Sequence, residues 1–158
     1  MPTTLEEAVR DFLAQKRIAV AGVSRRKSEA ANAIYKKLRG AGYQVFATNP
    51  KAEEVEGDPC YPDLASIPDG VDGVVVATPP GAAEEIVRQC RELGIPRVWM
   101  HRSFGEGSVS QPAVDYCREH GIAVIPGACP MMFCEPVDFG HKCLRWFAAM
   151  TGDLPKQV

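Results

Sequence analysis

Gly22, Ser24, Arg25, Arg26 and Lys27 are residue types that together can hold a phosphate. They follow the apolar run "RIAVA" and fall in "GVSRRKS", Gly22 to Ser28, with Val23 between the glycine and the serine. Gly22 permits a tight turn and a close approach of ligand to backbone. Ser24 adds a hydroxyl, and a helix starting behind it adds N–H groups and the positive end of its dipole. An arginine can grip a phosphate through two parallel hydrogen bonds. A Gly-rich dinucleotide turn would carry its second glycine where Ser24 stands. The plainer alternative is a turn with solvated charges.

A second set of chemistry-bearing residues lies in "FATNPKAEE". NAD-binding turns place an acid about 20 residues after their glycines to hold the ribose hydroxyls. Here Asn49, Pro50 and Lys51 occupy that region, and no acid appears before Glu53. The pattern disfavours NAD and leaves NADP open, because cations accept a 2′-phosphate. A ligand with a pyrophosphate and a separate ribose phosphate suits the loop cations and Lys51 together, and coenzyme A (CoA), with its 3′-phosphate, is such a ligand. Thr78, Pro79, Pro80 and Gly81 follow a third apolar run, and Gly127, Ala128, Cys129 and Pro130 follow a fifth.

Other reactive side chains compose no complete catalytic constellation. His101 opens the polar loop "HRSFGEGS" but has no partner carboxylate at a recognisable spacing. Cys129, Cys134, His141 and Cys143 are zinc-ligand types, yet their spacing departs from C-x₂₋₄-C with H-x₃₋₅-H, and no metal is expected. Cys129 stands where a bound CoA thiol could form a mixed disulfide with it; a buried structural cysteine is the alternative. No catalytic residue is assigned, and the reading leans towards binding rather than catalysis.

These residues need elements to position them. "TTLEEAVRDFLAQ" reads as an opening helix, with Thr4 and Glu7 at capping-box spacing. Strand-like runs "RIAVAGV", "YQVFAT", "DGVVVAT", "RVWM" and "IAVI" then alternate with helical "EAANAIYKKLRGAG", "AAEEIVRQCRELG" and "PAVDYCREHG". A last helix is expected over "VDFGHKCLRWFAAM". Apolar runs without alternation fit strands covered on both faces, and strand–helix alternation fits an α/β fold. The expectation is a three-layer, Rossmann-type, doubly wound parallel sheet of about five strands in the order 3-2-1-4-5. In such a sheet ligands sit beyond the carboxyl ends of the strands, and each loop named above follows a strand.

The 158 residues suit one domain spanning 1–158, with 151–158 frayed. A net charge of −2, with 24% charged and 46% hydrophobic residues, gives no general attraction to nucleic acid or an anionic membrane. No apolar run approaches a membrane span of ~20 residues, and the acidic N-terminus is unlike a signal peptide. The cytoplasm is the expected compartment, with all six cysteines reduced and Cys90 and Cys117 in the core. Leu144, Trp146, Phe147 and Met150 read as core packing, with a homodimer face as the alternative. Met131, Met132 and Phe133 read as a lid over the ligand or as core.

Together, "VAGVSRRKSEAANAIYKKLRGAGYQVFATNPK" and "CYPDLASIPDGVDGVVVATPP" resemble the stand-alone bacterial CoA-binding proteins, which are similar to the N-terminal CoA-binding domain of the succinyl-CoA synthetase α subunit. The resemblance runs from about Ile18 to Glu135. It rests on Gly22 and Ser24, Gly42-Tyr43, Asn49-Pro50, the Tyr61–Pro68 segment, Val71-Asp72 and Cys129-Pro130. It implies a Rossmann-type domain binding CoA or an acyl-CoA, with contacts from Gly22, Val23, Ser24, Arg25, Arg26, Asn49, Pro50, Lys51, Thr78, Pro79, Pro80 and Cys129. Ala77-Thr78-Pro79-Pro80 departs from the Phe-Arg pair of many stand-alone members, and "MHRSFGEGS" departs from a W-x-Q-x-G pattern. The synthetase's second domain has no counterpart here, so its ligase activity is not implied. The open alternatives are an NADP-dependent or NADP-sensing protein and an interaction module with a vestigial pocket.

Overall fold

The computed structural model describes residues 4–25, 29–102, 107–135, 137, 139–152 and 154–155. The chain opens with α1 (Leu5–Leu13) and β1 (Arg17–Ala21), then α2 (Ala30–Gly40) and β2 (Gln44–Thr48). A short β3 (Glu54–Val55) and β4 (Asp58–Tyr61) precede β5 (Gly73–Val76), α3 (Pro80–Leu93) and β6 (Arg97–Met100). Then come α4 (Gln111–Glu119), β7 (Ala123–Pro126), a 3₁₀ turn (Pro130–Met132) and α5 (Phe139–Thr151). The expected capping box closes α1: Glu7 N donates to Thr4 Oγ1 at 3.2 Å, and Thr4 N donates to Glu7 Oε2 at 2.9 Å.

The strands form one sheet in the order β3-β4-β2-β1-β5-β6-β7. All neighbours pair in parallel except β3 with β4. This is the expected doubly wound α/β architecture, with one correction to how its strands are assigned. "DGVVV" is not the strand beyond β2; as β5 it pairs with β1, Ile18 opposite Gly73 and Ala21 opposite Val76. The place beyond β2 belongs to β4, a segment too short and polar to read as a strand. With β4 counted third, the parallel strands run 3-2-1-4-5 with one more beyond.

Alternation along the strands divides the core between the two faces. Ile18, Val20, Val75, Trp99 and Ile125 meet Val9 and Phe12 of α1 and Ile34 and Leu38 of α2. Ala19, Ala21, Val74, Val76, Val98 and Met100 meet α3 and α4 on the other face. Cys90 and Cys117 are fully buried there, as expected. Trp99, fully buried, packs edge-on to Phe12 at 5.4 Å between ring centres, and its Nε1 donates to Gly127 O at 2.9 Å. The 3₁₀ turn joins the first face: Met132 is buried and Met131 and Phe133 pack against the same cluster, so this run is core.

The β3–β4 hairpin turns through Glu56 and Gly57, both with positive φ (51° and 80°), as a two-residue turn joining right-twisted strands requires. Two helical residues hold it in place. Arg39 Nη1 donates to Glu56 O and to Asp58 Oδ2, each at 2.8 Å. Tyr35 Oη donates to the same Asp58 oxygen at 2.7 Å. The tyrosine's hydrogen bond, then the arginine's, holds the Asp58 carboxyl below the usual carboxylate range.

α5 departs from its expected role. Leu144 and Ala148 face the domain, but Trp146 and Met150 are 65% and 67% exposed rather than core. Phe147's side chain lies outside what is described. Of the stretch expected to fray, Thr151 ends α5, Leu154 packs on the core cluster and Pro155 lies beside Gly127.

Candidate functional site

Parallel pairing brings the ends of β1, β2, β5, β6 and β7 to one edge, and residues one or two positions beyond the strands continue the hydrogen-bond ladder there. Gly22 N donates to Thr48 O at 3.1 Å and Ala77 N to Ala21 O at 2.9 Å. His101 N donates to Val76 O, Asn49 N to Tyr61 O and Arg102 N to Ala128 O, each at 2.9 Å. The loops singled out in the sequence therefore lie side by side along one line.

Gly22 is demanded by packing as much as by any ligand. Its φ is +105°, and a Cβ there would lie 2.3 Å from Ala77 O and 3.2 Å from Thr78 Cγ2. The turn after β1 and the turn after β5 thus touch through the missing side chain. Beyond this contact, α3 starts at Pro80 with Pro79 as its N-cap, no side-chain capping bond and no acid in its first turn. That bare helix end is a place where backbone N–H groups and the helix dipole favour an anion.

Ser24 and Asn49 are positioned by amide side chains. Fully buried Asn32, in the first turn of α2, clamps the Ser24 peptide: Ser24 N donates to Asn32 Oδ1 at 3.0 Å and Asn32 Nδ2 donates to Ser24 O at 2.7 Å. The same Nδ2 donates to Glu56 Oε1 at 2.9 Å, so the clamp extends to the hairpin. Asn49 Nδ2 donates to Val23 O at 3.0 Å, and Asn49 Oδ1 accepts from Lys51 N at 2.9 Å. The Ser24 N–H and the Asn49 amide are thereby engaged within the protein; among the described residues of the first two loops, Arg25 and Lys51 are exposed cations.

An open pocket of about 420 Å³ lies between Ser24–Arg25 and the hairpin, lined by Glu54, Val55, Glu56 and Gly57. Sequence reasoning missed this wall and missed Asn32. The cue for the hairpin was Glu56-Gly57, a two-residue turn pair between "EV" and "DPCY". Nothing local marked Asn32, eight positions from the loop it holds.

The expected contacts divide as follows. Gly22, Val23, Ser24, Arg25, Asn49, Pro50, Lys51, Thr78, Pro79 and Pro80 share the edge, though the Val23 side chain is wholly buried. Arg26, Lys27 and residues 103–106 lie outside the described residues. Cys129 follows β7 but is 3% exposed and belongs to the first-face core beside Trp99, Met132 and Cys134. A mixed disulfide there would require the turn to open. His101 is half-buried, and burial, then the charge of nearby His141, push its ring below the usual histidine range. Among the described residues no group of three or more His, Cys, Asp or Glu side chains is gathered to hold a metal, and no helix is long and apolar enough to cross a membrane.

The chain is similar to an ADP-forming acetate–CoA ligase of Archaeoglobus fulgidus, 28% identical over 120 residues that cover 72% of this chain. Those residues span 18% of the ligase's length. It is also similar to YneT, an uncharacterized protein of Bacillus subtilis, 31% identical over 72% of this chain and 82% of YneT. Among solved structures, a hypothetical protein from Pyrococcus horikoshii OT3 superposes with a TM-score of 0.76 at 32% identity, covering 84% of this chain and 91% of that one. A family model described as a CoA binding domain matches residues 16–135, from the threshold of β1 through every loop of the carboxyl edge. The chain belongs to this family of CoA-binding domains.

Proposed function

We propose that the chain binds coenzyme A or a CoA thioester along the carboxyl edge of its sheet, as a binding protein without a chemical step of its own. One observation carries the placement: the turn after β1 and the turn after β5 meet at Gly22 and Ala77, directly before the uncapped start of α3. A pyrophosphate laid across this contact receives backbone N–H groups from the helix end and the Thr78 and Ser24 hydroxyls. Arg25 and Lys51 flank it as cations for the 3′-phosphate. The pocket beside Arg25 falls within the ~300–1,000 Å³ of small-molecule sites and takes the adenosine end. The thiol end then leaves along the edge towards Pro79 and Pro80.

Calorimetric titration of the reduced protein with CoA, acetyl-CoA, dephospho-CoA, NADP and NAD at matched ionic strength tests this. The expected result is binding of CoA, weaker binding of dephospho-CoA and none of NAD. Binding of NADP alone would replace CoA with NADP at the same loops. Silence across the panel would leave an interaction module with a vestigial pocket.

A further inference from the structure

α5 carries an apolar stripe that no described residue of the domain covers. Phe139, Cys143, Trp146 and Met150 are all exposed, Phe139 by 82%. Their spacing of four, three and four residues places them on one side of the helix. The stripe lies opposite Leu144 and Ala148, which face the core. Arg145 is occupied within the domain, its guanidinium 4.4 Å from the Phe133 ring centre. The matched family span ends at residue 135, before this helix begins.

We propose that this face pairs with the same face of a second copy, as an antiparallel α5–α5 contact about a two-fold axis between Cys143 and Trp146. The order along the stripe is what selects the occupant. It reads aromatic, sulfur, aromatic, sulfur; reversed, it reads sulfur, aromatic, sulfur, aromatic. An antiparallel partner therefore sets Met150 against Phe139 at both ends and Cys143 against Trp146 on either side of the axis, and sulfur–ring contacts of this kind are favourable. On the flank, Lys142 of one copy falls beside Ala149 of the other, and the two Lys142 side chains stay about five residues, ~7.5 Å, apart along the axis. The area is also adequate. Large aromatic side chains carry about 150–250 Å² each, so the stripe exposes several hundred Å². That equals the largest patch of an ordinary monomer and is more than half of the ~800 Å² that each partner of a standard interface buries.

Sedimentation velocity over a concentration series tests the pairing. The full chain is expected to reach twice the chain mass at tens of micromolar, and Trp146→Glu and Phe139→Glu/Met150→Glu to stay single with unchanged thermal midpoints. In a Cys143→Ser background, chains carrying Phe139→Cys and chains carrying Met150→Cys are expected to cross-link under oxidation only when mixed. A chain that stays single at every concentration overturns the proposal. So does a dimer that survives both charge variants, cross-linking of like with like, or a single chain that pellets with anionic vesicles through this face.

Discussion

The α-carbon of Gly22 sits against the carbonyl of Ala77, so that a methyl group on it would lie 2.3 Å from that oxygen. Two turns separated by more than fifty residues are thereby held in contact where the sheet changes direction, and the start of α3 is fixed relative to the turn after β1. Gly22→Ala combines a clash with a backbone at φ +105°. It is expected to cost about 2–4 kcal/mol in urea denaturation and to abolish CoA binding measured by calorimetry. Gly42→Ala, also at positive φ but with open space around it, is expected to cost less and to leave binding intact.

The Asn32 clamp links the Ser24 loop, α2 and the hairpin. Asn32→Ala removes its hydrogen bonds to Ser24 N, Ser24 O and Glu56 Oε1 from a fully buried site. Loss of stability of about 3 kcal/mol is expected from denaturant unfolding, and amide exchange is expected to quicken first at Ser24 and Arg25. Unchanged protection of those amides would show that the loop holds its shape without the clamp.

Arg25 and Lys51 are exposed cations beside the proposed 3′-phosphate position. Charge-assisted hydrogen bonds contribute about 1.5–3 kcal/mol, so Lys51→Ala and Arg25→Ala are each expected to weaken CoA roughly 10- to 100-fold. Their effect on dephospho-CoA is expected to be several-fold smaller. Equal losses for both ligands would assign these side chains to the pyrophosphate instead.

His101 gives the protein a pH dependence with a definite sign. Burial, then His141, depress its ionisation below the ordinary value of about 6.5. As pH falls through that value the unfolded chain takes up a proton that the folded chain does not, so stability falls on acidification. Urea midpoints are expected to decline from pH ~7 to pH ~5, and His101→Gln to flatten that decline. An unchanged slope in the variant would place the acid sensitivity elsewhere.

The parts of this molecule that obey local rules could be read directly. Thr4 and Glu7 announce α1, the uninterrupted apolar runs announce covered parallel strands, and Gly22 announces a tight turn. β3 and β4 escaped because "EV" and "DPCY" are too short for any period to show, and without them β5 was assigned to the wrong side of the sheet. Asn32 escaped because it interrupts a helical apolar pattern like any surface amide; its role exists only once the chain returns to bring Ser24 and Glu56 to it. Trp146 and Met150 escaped for the opposite reason. Helical spacing shows that they share a face, not whether that face is covered.

The two-residue strand β3 has a consequence at the margin of the sheet. An exposed strand edge offers unpaired backbone groups to any other extended chain and is a common route to aggregation. Here that margin is antiparallel, only two residues long, carries the exposed carboxylate of Glu54 and turns back at once through Glu56 and Gly57. A foreign strand finds almost no ladder to extend and a negative charge beside it. The hairpin that walls the pocket beside Arg25 therefore also keeps the sheet from growing at this margin.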